Sequence, residues 1–228
     1  VWASVDRAGA YLLYRSGPRL HVQRTATGEE RGFDLADDIS VFVGAVEGGR
    51  FVAFHSDRTQ GLERYLLVDV ERCEWRLLGI TTSTTDPVIG YSKVSAMSLA
   101  GDRLFYAVYR GARATAQELL LDLLDASVRA PDAAVRLVTE ARLEGERAVW
   151  LQQAVGGGTP GVATWNAADG QLLAIDLPPK ANPRGLAFSG TRAVWTDSRS
   201  VYTSPPNTDI YLLDVASGAI TQLTTDAK

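Results

Sequence analysis

GTRAVWTDSRSVYTSPPNTDIYLLDVASGAITQLTT, residues 190–225, is the stretch whose reading decides the fold. It divides into a short apolar strand, a polar loop, a second strand over Asp209–Leu213, a tight turn and a last strand ending at Leu223-Thr224. Asp214-Val-Ala-Ser-Gly218 has the composition of a type I turn closed by a left-handed glycine, a common hairpin connection. Alternation along Ala193–Trp195 and Ile210–Leu213 is incomplete, with apolar residues on both faces. A strand covered on both sides carries that pattern.

Four weaker copies of the unit lie upstream. A glycine turn precedes a mostly apolar run at Gly9 (AYLLYRS), Gly49 (RFVAFHS), Gly101 (DRLFYAVY) and Gly145 (ERAVWLQ), as it does at Gly190 (TRAVWTDS). The spacings are 40, 52, 44 and 45 residues, the length of one four-stranded propeller blade. First strands are expected at Val1–Val5, Val41–Val46, Val94–Leu99, Val138–Leu143 and Arg184–Phe188. The second turn recurs at Arg24–Gly28, Asn166–Gly170 and Asp69–Cys73, the last with cysteine in the glycine position. In the third copy Glu118–Leu124 reads as the third strand and Val135–Val138 as the fourth, with a longer turn between. The helix-forming residues of ATAQELLLDLLDASVRA offer a helix as the alternative. The fold class is therefore all-β, a β-propeller of four-stranded antiparallel blades with five repeats, either closed at five or part of a larger ring. The whole of 1–228 reads as one domain, with blades at about 1–40, 41–90, 91–138, 139–182 and 183–228.

Three elements carry a family resemblance: Ser4-Val-Asp6-Arg-Ala-Gly9 as a degenerate first turn, Asp209-Ile-Tyr-Leu-Leu-Asp214, and Gly218-Ala-Ile-Thr-Gln-Leu-Thr224. The chain resembles the TolB-like, WD40-like (PD40-type) propeller repeats of bacteria. The resemblance covers the whole chain but is strongest in the last repeat, and the proline of the family's first turn is missing from every copy. It implies a binding platform in an exported bacterial protein, periplasmic or extracellular. Related propellers also gate prolyl-oligopeptidase-type peptidases, whose α/β catalytic domain has no counterpart here.

Composition narrows function mainly by exclusion. A net charge of −4 argues against a general nucleic-acid binder. No apolar run approaches the roughly 18 residues that cross a bilayer. A start at Val1 without a basic-then-apolar leader reads as a processed or excised segment. One cysteine and two histidines leave no internal disulfide and no His-rich metal site, so no cofactor is expected.

Candidate chemistry is sparse. No Gly-Xaa-Ser-Xaa-Gly elbow is present. A propeller glycosidase needs two carboxylates about 5–10 Å apart, and the first strands offer only Glu140. Arg142 and Arg184, with Lys93, are candidates to place positive charge near the axis for an anionic ligand or acidic peptide. Asp197, Arg199 and Tyr202, on or after the second strand of the last repeat, are candidates for a rim site for a protein partner or small ligand. Asp57-Arg58 reads as their counterpart in the second repeat, and the plain alternative is an Asp that ties down its own turn. His55 and Cys73 read as structural. Trp150 and Trp195 occupy equivalent packing positions, whereas Trp75 and Trp165 fall on outer strands and are free to be exposed. The leading expectation is a non-enzymatic platform. The alternative is a carbohydrate-active propeller enzyme or the gating propeller of a peptidase.

Overall fold

The computed structural model describes residues 2–5, 9–16, 19–34, 39–57, 59–83, 92–110, 115–131, 137–153, 159–198 and 208–225. They form twenty strands in five four-stranded antiparallel sheets, each built from four consecutive strands. The first sheet holds β1 (Trp2–Val5), β2 (Tyr11–Ser16), β3 (Arg19–Arg24) and β4 (Glu30–Asp34). The second holds β5 (Ile39–Glu47), β6 (Arg50–Asp57), β7 (Leu62–Asp69) and β8 (Glu74–Ser83). The third holds β9 (Ser92–Ala100), β10 (Arg103–Arg110), β11 (Thr115–Asp122) and β12 (Val128–Arg129). The fourth holds β13 (Leu137–Glu144), β14 (Arg147–Gln153), β15 (Gly161–Asn166) and β16 (Leu172–Asp176). The fifth holds β17 (Pro183–Ser189), β18 (Arg192–Asp197), β19 (Asp209–Asp214) and β20 (Ile220–Gln222).

The strands most central in the assembly are the first of each sheet. β1 touches β5, β5 touches β9, β9 touches β13 and β13 touches β17. Among the described residues, no comparable contact joins the first sheet to the fifth. A sheet with two apolar faces cannot bury both by itself, and stacking sheets face to face solves this. Phe105 and Trp150 stack across the third and fourth sheets with ring centroids 5.3 Å apart. Trp195 and Leu213 of the fifth sheet are buried with Val149, Leu151 and Val162 of the fourth.

Polar latches reinforce this packing at the turns. Arg50 Nη1 donates to Asp102 Oδ1 at 2.9 Å and its Nη2 to the Gly101 carbonyl at 2.7 Å. Arg103 Nη2 pairs with Glu146 Oε1 at 2.7 Å. Each joins the start of a second strand to the first turn of the next sheet.

The third sheet corrects one expectation. Its outer strand is Val128–Arg129, and Val138 belongs to β13, the first strand of the fourth sheet. No helix forms over 115–129 in the described residues; β11 pairs along its whole length with β10. Cross-strand pairing and burial on both faces override the helical propensity of this Leu-rich run. The turn after Asp122 is the same short turn as elsewhere, with Ala126 at φ 60° in the glycine position. Cys73 occupies that position in the second sheet at φ 54°, where Gly28, Gly170 and Gly218 lie at 71–74°. An L-residue there costs about 1 kcal/mol. Cys73→Gly is therefore expected to raise stability by up to about 1 kcal/mol in urea denaturation. Lower stability would mean that the thiol, 3.7 Å from the Val70 carbonyl, contributes more than the backbone costs.

Trp150 and Trp195 are buried, at 2% and 1% exposure, as their shared register implies. Trp75 is 68% exposed, but Trp165 is only 3% exposed. The expectation that Trp165 is free to be exposed fails because its face of β15 packs with Ala148 and Trp150 against the third sheet.

Candidate functional site

A ligand on the propeller axis would meet the innermost strands β1, β5, β9, β13 and β17. These strands contain three acidic residues, Glu47, Glu140 and Glu144. All three accept hydrogen bonds from backbone N–H groups of a neighbouring sheet. Glu140 Oε1 accepts from Gly185 N at 2.8 Å and Oε2 from Leu186 N at 2.9 Å. The first strand pair of the fifth sheet, β17–β18, shifts register between Arg184 and Ala187, so these amides sit at a bulge, where the ladder leaves donors unpaired. Glu144 Oε2 accepts from Gly190 N at 2.7 Å, and Glu47 accepts from Gly101 N. Ser98 Oγ plays the same part between β9 and β13, accepting from Leu143 N at 2.9 Å. A carboxylate engaged by two amides is a strong acceptor already committed to structure.

Glu140 bonds at Gly185–Leu186 and Glu144 at Gly190, so β13 and β17 run side by side in register. Arg142 then lies level with residues 187–188, and Arg184 three to four residues away along the strand, roughly 10 Å at 3.3 Å per residue. Both belong to the same pair of inner strands, but they are not brought together. Arg142 is half-buried and donates to the Ala141 carbonyl at 2.7 Å. Arg184 is exposed, with Nε 3.4 Å from Asn182 Oδ1. Among the described residues, no carboxylate pairs with either.

Arg184 does meet Asp197, through Asn182. Asp197 Oδ1 accepts from Asn182 N at 2.8 Å, and Asn182 Nδ2 donates to Ser198 Oγ at 3.3 Å. Asp197 is 1% exposed and stands directly across from Asp209, itself 8% exposed. Among the described residues, Asp209 Oδ1 has no hydrogen-bond partner. Arg199 and Tyr202 lie outside the described residues.

Asp57 is not the counterpart of Asp197. Arg50 and Arg192 pair across with Asp69 and Asp214, which sets His55 level with Asp197. Asp57 Oδ1 accepts from Thr59 N and Gln60 N, both at 3.0 Å, and so ties down its own turn. His55 is half-buried in β6, and Lys93 is exposed near the start of β9.

Sequence reasoning missed Glu118. Only 2% exposed, it lies opposite Ala107 on the face of β11 that packs with the fourth sheet. Burial pushes its carboxyl up to about 7. The signal was present as one acid inside an apolar strand run. The clamp residues had a signal too: Glu47 and Glu144 each directly precede a turn glycine.

Among the described residues, clefts open between outer strands, away from the axis. One of about 210 Å³ is lined by Arg50, Leu67, Asp69, Arg72, Trp75 and Asp102, among others. Another of about 300 Å³ lies between the fourth and fifth sheets, by Arg147, Asn166 and Ser217. Among the described residues, no group of three or more His, Cys, Asp or Glu is placed to hold a metal ion. No described helix is long and apolar enough to cross a membrane.

Comparison with known proteins yields structural neighbours only. No family model matches, and no curated protein matches. The chain is similar to a putative TolB from Agrobacterium tumefaciens (TM-score 0.59, 14% identity, 97% of this chain and 79% of that one). It is also similar to an oligogalacturonate lyase solved with manganese (TM-score 0.65, 11% identity, 97% of this chain and 64% of that one). A third neighbour is an acylaminoacyl peptidase (TM-score 0.66, 15% identity, 99% of this chain and 38% of that one). The chain thus spans less than two-thirds of the lyase and little more than a third of the peptidase. At these identities the likeness establishes a TolB-like propeller fold and nothing about activity.

Proposed function

We propose that residues 1–228 form one β-propeller domain that acts as a non-enzymatic platform for a protein partner or a small ligand. Its blades follow the repeats at about 1–40, 41–90, 91–138, 139–182 and 183–228, with the first boundary drawn back to before Ile39 and the third to before Leu137, where β5 and β13 begin. The observation that carries this reading is the engagement of every acidic residue on the five innermost strands by a neighbouring sheet's backbone. Acid–base hydrolysis at the axis needs carboxylates poised toward a substrate. Here the axis offers instead Arg142 and Arg184, which favour an anionic ligand such as an acidic peptide. Arg199 and Tyr202 are proposed to form a rim for the partner, with Asp197, buried and bonded to Asn182 N, supporting it from beneath. The resemblance to TolB-type repeats supports a location in the periplasm or at the cell exterior.

The enzyme alternative draws on the peptidase and lyase among the structural neighbours. One experiment separates the two. Anisotropy with a fluorescent oligoglutamate decapeptide at low salt is expected to show binding that weakens roughly tenfold or more in the Arg142→Glu, Arg184→Glu double variant. Unchanged affinity in a folded double variant removes the axial arginines from the site. Turnover of oligosaccharide substrates that Glu140→Gln abolishes would favour the enzyme.

A further inference from the structure

Register places an arginine at one position in three outer strands. Arg31, Arg76 and Arg129 pair across with Val22, Leu67 and Leu120, each two residues before the end of a third strand. Two of these arginines bind the next sheet in the same way. Arg31 Nη1 donates to the Val70 carbonyl at 3.0 Å and Arg129 Nη1 to the Ala167 carbonyl at 2.9 Å. Val70 and Ala167 each follow the third strand of the next sheet, the place that Leu123 holds in the third sheet. Arg76 makes no such bond to Leu123. It is exposed and, among the described residues, has no hydrogen-bond or ion-pair partner.

The acid after the first-turn glycine accounts for the difference. In the fourth sheet it is Glu146, whose Oε1 takes Arg103 Nη2 at 2.7 Å and Arg129 Nη2 at 3.4 Å. In the third sheet it is Asp102, one methylene shorter, which among the described residues pairs with Arg50 alone, at 2.9 Å. Arg76 is left without a carboxylate, on the wall of the cleft of about 210 Å³. Charge in this cleft is divided. Glu74 stands two residues before Arg76 on the same face of β8, roughly 7 Å along the strand, and directly opposite Asp69. Glu74 is likewise exposed and unpaired among the described residues. Asp69 Oδ1 is held by its own turn, accepting from Arg72 N at 3.0 Å. Leu67 and Trp75 border the same cleft.

We propose that this cleft binds a small zwitterion of the α-amino-acid class. The carboxylate of the ligand takes at Arg76 the place that Glu146 holds at Arg129, and its ammonium lies against Glu74 and Asp69. A guanidinium fork suits a carboxylate, to which it donates two parallel bonds. Clefts for drug-sized ligands measure about 300–1,000 Å³. This smaller one suits a molecule of amino-acid size with an apolar side chain toward Leu67 and Trp75. The cleft lies apart from the axis and does not depend on the function proposed there.

The test is a chemical-shift titration of the chain with L-leucine. Saturable shifts are expected at the backbone amides of β8 and of Gly101 and Asp102. N-acetyl-L-leucine lacks the ammonium and L-leucinamide lacks the carboxylate. Each should bind at least roughly tenfold more weakly than leucine. Arg76→Gln should weaken leucine binding by a similar factor. Asp102→Glu gives the sharper check. Its longer side chain should draw Arg76 into the arrangement that Glu146 makes with Arg129. Leucine affinity should then fall at least roughly tenfold with no loss of melting temperature. A titration without saturable shifts at β8 overturns the proposal. So does equal binding of leucine and leucinamide, or unchanged affinity in folded Arg76→Gln or Asp102→Glu protein. The Arg142→Glu, Arg184→Glu double variant should bind leucine as the wild type does, so failure at the axis and failure in this cleft are read separately.

Discussion

Glu118→Gln is expected to abolish most of a fall in stability that the wild-type protein shows as pH rises through neutrality. Burial holds the Glu118 carboxyl at about 7, against an ordinary value of 4.5. In the unfolded chain the same group loses its proton near its ordinary value. Between the two values the folded state holds the extra proton. The stability of the neutral carboxyl is therefore complete below about pH 4.5 and is lost as pH rises through about 7. A displacement of this size corresponds to about 3 kcal/mol. Glutamine keeps the shape and cannot ionise. Urea denaturation from about pH 5 to 8.5 should show the wild type losing about 3 kcal/mol and Glu118→Gln less than about 1 kcal/mol. Parallel profiles would mean that Glu118 reaches water. The acid limb has other owners. Tyr14 and His21 bonding to Glu30, Tyr11 and Arg24 bonding to Glu71, and turn bonds to Asp125 and Asp214 hold these carboxyls below their ordinary range. What they contribute is lost as pH falls.

The second large effect is at Glu140. Glu140→Ala removes two charge-assisted bonds and leaves the Gly185 and Leu186 amides at the bulge without their acceptor. Bonds to charged groups contribute about 1.5–3 kcal/mol each. Partial exposure of Gly185 lets water replace one of them, so a loss of about 2–3 kcal/mol is expected. Asp57→Ala, which only frees an exposed turn, should cost about 1 kcal/mol or less. Comparable losses from both variants would mean that Glu140 clamps nothing.

The repeat was legible because its punctuation is chemical. A glycine turn followed by an apolar run locates all five second strands, and the turns at Arg24–Gly28, Asp69–Cys73, Asn166–Gly170 and Asp214–Gly218 locate the third and fourth strands of four sheets. The third sheet was misread where alanine stands in the glycine position: Ala126 at φ 60° hides the turn from a search for glycine. Its outer strand of two residues is too short to carry a periodic signal. Trp165 was misplaced because an outer position in a sheet says nothing about which face is covered by a neighbour. The clamps were unreadable as clamps. A glutamate on a strand looks alike whether it faces a substrate or an amide 45 residues away, as Glu140 and Gly185 do. Asp197 was singled out for its position after an aromatic strand, but its burial and its pairing opposite Asp209 depend on register across the sheet.

The inner-strand carboxylates either hold sheets together or stand ready for chemistry, and amide exchange distinguishes these directly. In the wild type the amides of Gly185, Leu186 and Gly190 are expected to be protected. In Glu140→Ala those of Gly185 and Leu186 should exchange roughly tenfold faster or more, while Gly190, held by Glu144, keeps its rate. Gly185 and Leu186 amides that exchange equally fast with and without the Glu140 carboxylate would leave that group free, and would contradict a purely structural role for the acids of the axis.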